Sequence, residues 1–241
     1  MSEWKAKRFW KAADIAPVEG GYSVLLDGRA VKTPAKAPLV VPGAAMARAI
    51  AAEWDAQQGE IDPGAMPFTR SANAAIDKVA AQHDEVADLI AAYGESDLLC
   101  YRAEAPADLV ARQAAGWDPL LAWARSAQGL DLQAVTGLIH HPQGDAARAR
   151  ALELTRAMDA FALTAFHDLV GLSGSFVLGL AVTQGVETPE TLWALSRIDE
   201  DWQVEQWGHD DEAAEMAEAK RAGFLHAARF YALAAGQGGD S

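Results

Sequence analysis

The amino-acid sequence predicts an α+β protein, in which a small N-terminal domain with strands and a backing helix precedes a larger, all-helical C-terminal domain. Within the first 43 residues, prolines and a turn dipeptide separate short apolar runs, as is typical of short strands. After Gly43, apolar residues recur every three or four positions, which indicates helices. The net charge changes from +1 in residues 1–80 to −15 in residues 81–241. We therefore expect domains at 1–80 and 81–241, with a disordered tail at 236–241.

The N-terminal strands are predicted from turn chemistry. Asp27 and Gly28 form a dipeptide that supplies the positive φ of a tight hairpin turn, so strands are expected on both sides of it. A later apolar run lies between prolines, which cannot donate to an interior ladder, and it is therefore expected to be an edge strand. The four extended segments are 8–15, 22–26, 29–33 and 39–41.

One helix is expected to back this small sheet. Ala47, Ile50, Ala51 and Trp54 recur at helical spacing, and Gly59 is placed to end the helix.

Helices dominate from residue 69 onward, and strands are expected only in the N-terminal third. His83 lies in an apolar stripe between residues 72 and 90, so we interpret it as a boundary histidine and not as a ligand. Asp118 and Pro119 resemble a helix cap followed by a first-turn proline, which predicts a break between two helices. Further helices are expected at 145–167, 169–185, 189–208 and 210–235, after an extended segment at 130–141.

Composition excludes several classes of protein. Among 241 residues, 51% are apolar, which is enough for a substantial core and excludes a disordered chain. The net charge of −14 opposes binding to nucleic-acid phosphates or to an anionic membrane surface. The single cysteine, Cys100, allows neither an internal disulfide nor a multi-thiolate metal site. The first ten residues lack the apolar run of a signal peptide.

The longest uncharged stretch, residues 169–186, is interpreted as a buried helix and not as a membrane span. Glycines and hydroxyl side chains dilute its hydrophobicity, so no membrane insertion is expected. Gly171, Ser175 and Gly179 recur at intervals of four, which predicts that a neighbouring helix approaches closely.

The sharpest local pattern begins at Leu195. At 100° per residue, Leu195, Ile198 and Trp202 form one packed stripe, and the next positions on it are Glu205 and His209. This phase predicts that the Glu205 carboxylate lies on the core face. Such a group can bind a cation of a partner, a substrate or a metal, or it can form an internal salt bridge or a helix cap.

Two further observations bear on function. The segment 187–218 contains eleven acids and one base, Arg197, which favours an electropositive partner surface. Phosphate-binding glycine loops, the nucleophile elbow and the zinc-protease motif are absent from the sequence. A metal-assisted hydrolase that uses Glu205, His209 and Glu212 is kept as the alternative function.

Short sequence blocks follow one another along nearly the whole chain. They are Arg8-Phe9-Trp10-Lys11, Gly20-Gly21-Tyr22, Leu26-Asp27-Gly28-Arg29, Lys32-Thr33-Pro34, Ala51-Ala52-Glu53-Trp54-Asp55-Ala56-Gln57, Met66-Pro67-Phe68-Thr69, Ala75-Ile76-Asp77, Asp97-Leu98-Leu99-Cys100-Tyr101-Arg102, Arg112-Gln113, Trp117-Asp118-Pro119-Leu120-Leu121 and Glu200-Asp201-Trp202-Gln203-Val204-Glu205-Gln206-Trp207-Gly208. In this collinear order, the blocks resemble the F1-ATPase assembly chaperones that attend the alpha subunit. Two mild departures from the family pattern are Ala74 and Ser96, where threonine is usual.

This resemblance implies a non-enzymatic chaperone without a cofactor or a metal. Such a protein holds the free F1 alpha subunit, and so prevents its aggregation, until beta subunits replace it. The family's functional glutamate maps onto Glu205, and we expect Glu205, Trp202 and Trp207 to bind the partner. The early start of the first block leaves no room for a transit peptide, so a bacterial cytoplasmic location is expected, or the mitochondrial matrix if a transit peptide has been removed.

Overall fold

The structure is a computed structural model that describes residues 7–137 and 139–236. Within it, the chain packs as two compact units. Unit 1 comprises the described residues of 1–82, 159–165 and 229–241, and unit 2 comprises those of 83–158 and 166–228. The predicted disordered tail lies outside the described residues, except for Gly236.

The regular elements are six short strands and ten α-helices within the described residues. The strands are β1 (Ala13–Val18), β2 (Gly21–Leu26), β3 (Arg29–Ala30), β4 (Val40–Val41), β5 (Tyr101–Arg102) and β6 (Val135–Thr136). The helices are α1 (Ala44–Asp55), α2 (Pro67–Ala74), α3 (His83–Ala91), α4 (Ala107–Gln128), α5 (Asp145–Arg156), α6 (Ala160–Ser173), α7 (Phe176–Thr183), α8 (Pro189–Ser196), α9 (Ile198–Trp207) and α10 (Asp211–Ala234). The α+β prediction, with strands first and helices after them, is confirmed.

Unit 1 contains an antiparallel sheet with β2 at its centre. β1 pairs along one edge of β2, and β3 and β4 share the other edge. Asp27 and Gly28 adopt φ of 46° and 76°, so the predicted hairpin turn is present. A side chain at Gly21 would place its Cβ 2.2 Å from the carbonyl oxygen of Val41, so only glycine lets β2 and β4 pair this closely.

Helix α1 covers one face of this sheet. Met46, Ala47 and Ile50 on α1 are fully buried in a core that also includes Trp10 and Leu39. The predicted backing helix is therefore present, and it ends at Asp55, a few residues before the predicted terminator.

Two later segments complete the core of unit 1. Phe230, from the end of α10, is fully buried, and its ring lies 6.4 Å from that of Phe68 and 6.3 Å from that of Phe161. Ala165 also belongs to this core. Periodicity within one helix cannot reveal which distant element such side chains pack against.

Unit 2 corrects several predicted helix boundaries. Helix α4 continues through Pro119, because Asp118 does not act as a cap: its carboxylate pairs with Arg102 Nη2 at 2.8 Å. Trp117 and Leu120, on either side of this point, are both buried. Their burial offsets the roughly 3 kcal/mol that a proline inside a helix costs.

The predicted helices at 145–167, 169–185 and 189–208 are also divided differently. Asp159 Oδ1 accepts hydrogen bonds from the backbone N–H groups of Phe161 and Ala162, which starts α6 within the first predicted span. Ser175 caps α7 by accepting from Leu178 N at 3.0 Å. Arg197 interrupts the third span, with φ of −106° and ψ of 6°.

Two small strands lie outside the N-terminal third, contrary to prediction. β5 and β6 pair in parallel, with Tyr101 opposite Val135, although each strand is only two residues long. Among the described residues of the predicted extended segment at 130–141, which exclude residue 138, only β6 forms a strand. Within the described residues, no helix is long and apolar enough to cross a bilayer.

Candidate functional site

Helix α9 lies antiparallel to α4, and three contacts fix this arrangement. The indole Nε1 of Trp117 donates to the carbonyl oxygen of Leu195 at 2.8 Å, which anchors the approach to α9. Gln113, which is buried, donates from Nε2 to Asp199 Oδ1 at 2.6 Å. The third contact joins Arg112 to Glu205.

Gly116 allows α4 to pack closely against Leu195 and Ile198. A Cβ at this position would lie 2.9 Å from Ile198 Cδ1 and from Leu195 Cδ2. Because the position carries no side chain, the two aliphatic groups fill the space against the α4 backbone.

Arg112 and Glu205 form a bidentate ion pair. Arg112 Nη1 donates to Glu205 Oε1 at 2.7 Å, and Nη2 donates to Oε2 at 2.9 Å. The guanidinium carbon also lies 5.0 Å from the ring centroid of Trp202, which is within cation–π range. The hydrogen bonds from Arg112 lower the pKa of Glu205, and they raise the pKa of Arg112. Both groups therefore stay ionised at neutral pH.

The predicted placement of Glu205 on the core face is wrong. Ile198 is buried and Trp202 is half-buried, but 49% of the Glu205 side chain is exposed. The reason is the antiparallel arrangement: Glu205 lies beside Arg112, near the start of α4, whereas the buried residues of α4 begin at Gln113. Of the alternatives that the sequence left open, the internal salt bridge is present, and contact with a partner stays a prediction.

The exposed end of α9 presents large apolar side chains. Trp207 is 80% exposed and Val204 is 44% exposed. A groove of about 580 Å³ lies on the α10 side of α9, and its walls include Trp193, Val204 and Ala217. Trp207 borders this groove.

A second groove, of about 780 Å³, lies on the α4 side of α9. Its walls include Pro106, Leu109, Trp202 and again Trp207. Helix α9 is thus a ridge between two largely apolar grooves, with one exposed tryptophan common to both. Large exposed apolar surfaces of this kind mark interaction sites.

Acidic side chains surround the ridge. Glu200 pairs with Arg197 at 2.8 Å, and Glu218 pairs with Arg221 at 3.1 Å. Asp210 caps α10 through the backbone N–H of Ala213. Asp201 is exposed, and its negative charge contributes to raising the pKa of Arg112. The surface around α9 is therefore strongly negative.

The hypothetical metal site is not assembled. His209 Nδ1 lies 3.2 Å from Asp211 Oδ1, and this contact does not involve Glu205 or Glu212. Among residues 7–137 and 139–236, the structure brings together no three His, Cys, Asp or Glu side chains that could hold a metal ion. The geometry gives the hydrolase alternative no support.

The contacts of Arg112 with Glu205 and Trp202 are not predicted by the sequence. Arg112 and Gln113 belong to one of the blocks that carry the family resemblance, but a block gives no information on which side chain faces which helix. Trp202 and Glu205, three residues apart, were correctly expected on one face of a helix, and this shared face was the available signal that a third group bridges them.

Comparison with known proteins gives consistent matches. The family model described as "ATP12 chaperone protein" matches residues 7–125. The crystal structure of Atp12 from Paracoccus denitrificans is 50% identical, with a TM-score of 0.93, and the match covers 96% of this chain and all of that one. The Atu1473 protein of Agrobacterium tumefaciens is 44% identical, with a TM-score of 0.87 over 93% of this chain and 84% of that one. The mitochondrial protein atp12 of Schizosaccharomyces pombe is 26% identical over an alignment of 222 residues, and the match covers 87% of this chain and 76% of that protein.

Proposed function

Since this chain belongs to the ATP12 family of chaperone proteins, we propose that it acts in F1-ATPase assembly by binding the free alpha subunit. Binding would keep the alpha subunit from aggregating until beta subunits replace the chaperone. The proposed role is non-enzymatic and needs no cofactor. Its place would be the bacterial cytoplasm, or the mitochondrial matrix if a transit peptide has been removed.

The observation that carries this proposal is the exposed apolar ridge of α9. Trp207 is 80% exposed between two grooves, which is costly to leave in water unless a partner covers it. Tryptophan is also the residue type most enriched among those that dominate binding energy at protein interfaces. We assign Trp202, Glu205 and Trp207 a role in partner binding.

The charge around the ridge indicates what kind of partner surface fits. The eleven acids of residues 187–218 favour a client surface with apolar side chains flanked by lysine or arginine. A newly made subunit whose own interfaces are still uncovered offers apolar surface of this kind. The acids would speed encounter and exclude acidic partners, while Trp207 and Val204 would supply most of the affinity.

Co-expression with the F1 alpha subunit tests this proposal. We expect the two proteins to co-purify, and we expect stoichiometric amounts of this protein to keep isolated alpha subunit in solution without nucleotide hydrolysis. The Leu89→Ala variant serves as the control, because Leu89 is an exposed apolar residue of α3 that borders neither groove. Equal aggregation of the alpha subunit with and without this protein would contradict the proposal.

A further inference from the structure

The polar contacts that the structure describes between the last half of α9 and another helix converge on a single side chain, that of Arg112. For residues 202–207, the structure as described gives no hydrogen bond or ion pair to another helix except the two from Arg112 to Glu205. The cation–π contact of Trp202 is also made with Arg112. The orientation of this half-helix, and with it that of Trp207, therefore depends on Arg112.

The geometry suits arginine and no other residue type. One planar guanidinium engages both oxygens of Glu205 at 2.7 and 2.9 Å, and its carbon lies 5.0 Å from the Trp202 ring centroid. A lysine ammonium is a point charge and cannot make this pair of parallel hydrogen bonds while contacting the ring. We call Arg112, Trp202 and Glu205 the α9 clamp.

Arg112 interacts electrostatically with other carboxylates in addition to Glu205. Asp108 lies on the same helix as Arg112, and Asp201 lies on α9. Together with Glu205, the negative charges of both raise the pKa of Arg112. Without Arg112, carboxylates on α4 and α9 would face each other with no cation between them. Such repulsion would move the free end of α9 away from α4.

We propose that Arg112 is a positioning residue for partner binding and that Glu205 acts through it, not by contacting a cation of the partner. Both carboxylate oxygens of Glu205 are already engaged, so a partner cation would have to displace Arg112 to reach equivalent geometry. The clamp fixes the ridge, and Trp207 and Val204 make the contact. This inference rests on the proposed function for its biological meaning, but its structural half is testable without any partner.

Amide hydrogen exchange of the isolated protein tests the structural half. Arg112→Gln and Arg112→Glu should speed exchange in residues 202–208 by roughly fivefold or more while leaving α6 and α7 unchanged. Arg112→Lys should give an intermediate rate. The reciprocal swap R112E/E205R should restore part of the protection, because it re-forms an ion pair between the same two positions. Unchanged exchange at residues 202–208 in Arg112→Glu would overturn the clamp.

Capture of purified F1 alpha subunit tests the functional half. Arg112→Gln, Glu205→Gln and the double variant should bind alpha subunit equally weakly, because all three break the same clamp. The swap should recover binding in part. If Glu205 instead contacts the partner directly, the swap stays inactive and the losses from the two single variants accumulate in the double one, which overturns the proposal.

The control is Arg156→Glu. Arg156 pairs with Asp88 at 2.8 Å, and about half of each side chain is exposed, much as in the clamp, but the pair lies between α5 and α3. This variant should leave both α9 exchange and alpha-subunit capture unchanged. If wild-type protein fails to capture alpha subunit, the proposed function fails, and the exchange experiment still decides whether the clamp exists.

Discussion

At the scale of single residues, Trp207 differs from the buried tryptophans because most of its side chain is exposed to solvent. Its indole is 80% exposed, whereas Trp193 on α8 is 6% exposed and Trp117 on α4 is fully buried. The fold therefore uses Trp117 and Trp193 as core residues and leaves Trp207 at the surface. Exposed tryptophans are enriched among the residues that dominate binding energy at interfaces, so we expect Trp207 to contribute to binding more than to stability.

The first prediction concerns Trp207→Ala. Because the side chain is exposed, its removal should change the free energy of unfolding by about 0.5 kcal/mol or less. Capture of alpha subunit should weaken strongly, since a central aromatic at an interface often contributes 2 kcal/mol or more to binding. Thermal melting and capture measured on the same preparation check both statements, with Leu89→Ala as the matched exposed control. Wild-type capture by Trp207→Ala would remove the ridge from the mechanism.

A second prediction concerns Glu205→Gln, which keeps the shape of the side chain and deletes its charge. Both partners of the Arg112 pair are substantially exposed, so the melting temperature should change little. Capture of alpha subunit should fall, because a neutral amide cannot hold the guanidinium through two charge-assisted hydrogen bonds. A drop of many degrees in melting temperature would instead assign Glu205 a role in the stability of the fold.

Asp97 is a buried carboxyl group with several donors around it. Its Oδ1 accepts from Leu99 N at 2.9 Å and from the Ser175 hydroxyl at 2.8 Å, and its Oδ2 accepts from Val177 N at 2.9 Å. Burial raises the pKa of Asp97 to about 6, although these hydrogen bonds favour the ionised form. The group thus joins the start of α7 to the turn at 98–100, at the cost of a buried charge near neutral pH.

The third prediction is a pH dependence that comes from this raised pKa. The unfolded chain releases the same proton near pH 3.9, so between about pH 4 and 6 the folded state binds more protons than the unfolded state. The free energy of unfolding should therefore rise as the pH falls from 7 to 5. Urea denaturation of wild type and Asp97→Asn at several pH values isolates the effect, because the variant lacks this titration. Parallel pH profiles for the two proteins would contradict it.

At the scale of elements, α6 and α7 show how two glycines in similar helical positions differ. A Cβ at Gly179 would lie 2.8 Å from Val170 Cγ2 and 3.1 Å from Phe166 Cε2. A Cβ at Gly171 would meet nothing within 4 Å. The predicted close approach of a neighbouring helix therefore holds at Gly179 and fails at Gly171.

The fourth prediction uses this contrast. Gly171→Ala should stabilise the protein by about 0.5–1 kcal/mol, because alanine has the better helix propensity and the site has room. Gly179→Ala should destabilise it by about 1–2 kcal/mol, since the crowding against Val170 and Phe166 exceeds the same gain in propensity. Chemical denaturation of both variants checks the opposite signs. A stabilised Gly179→Ala would show that α6 moves freely away from α7.

Local sequence patterns predict features that depend on neighbouring residues, such as a tight turn. They do not predict features that depend on contacts with residues far away in the sequence. The hairpin at Asp27 and Gly28 follows from the backbone preference of two adjacent residues, and it is present. The break predicted at Pro119 is absent, because Arg102 binds the carboxylate that would have served as a cap. Glu205 is exposed for a similar reason: helical phase predicts a shared face but not which residues of the neighbouring helix lie opposite it.

At the scale of the whole molecule, we expect the net charge to influence the rate of association with a partner. The net charge is −14, and residues 187–218 concentrate eleven acids near the exposed ridge. Charges of this kind act on association rates over about one Debye length, which shortens from roughly 14 Å at 0.05 M salt to about 4 Å at 0.5 M.

The fifth prediction is that association with alpha subunit slows as salt rises. Exposed charges steer encounter more than they strengthen the final complex, so the dissociation rate should change less than the association rate. Asp201→Asn should reduce the association rate, and Asp131→Asn, the same charge change outside the acidic segment, should have a smaller effect. Stopped-flow measurements across a salt series check this. A salt-independent association rate would leave the acids with a role in solubility alone.

The discontinuous make-up of unit 1 has a consequence for how the protein is made on the ribosome. Phe230 is fully buried against Phe68 and Phe161, so the core of unit 1 stays incomplete until residue 230 has been synthesised. At about 5–20 residues per second, the sheet and α1 then wait roughly 7–30 s while unit 2 is translated. During that interval we expect the nascent N-terminal segment to expose apolar surface, which is the kind of surface that chaperones protect. A protein that we propose to protect another chain from aggregation would therefore need such protection itself while it is being synthesised.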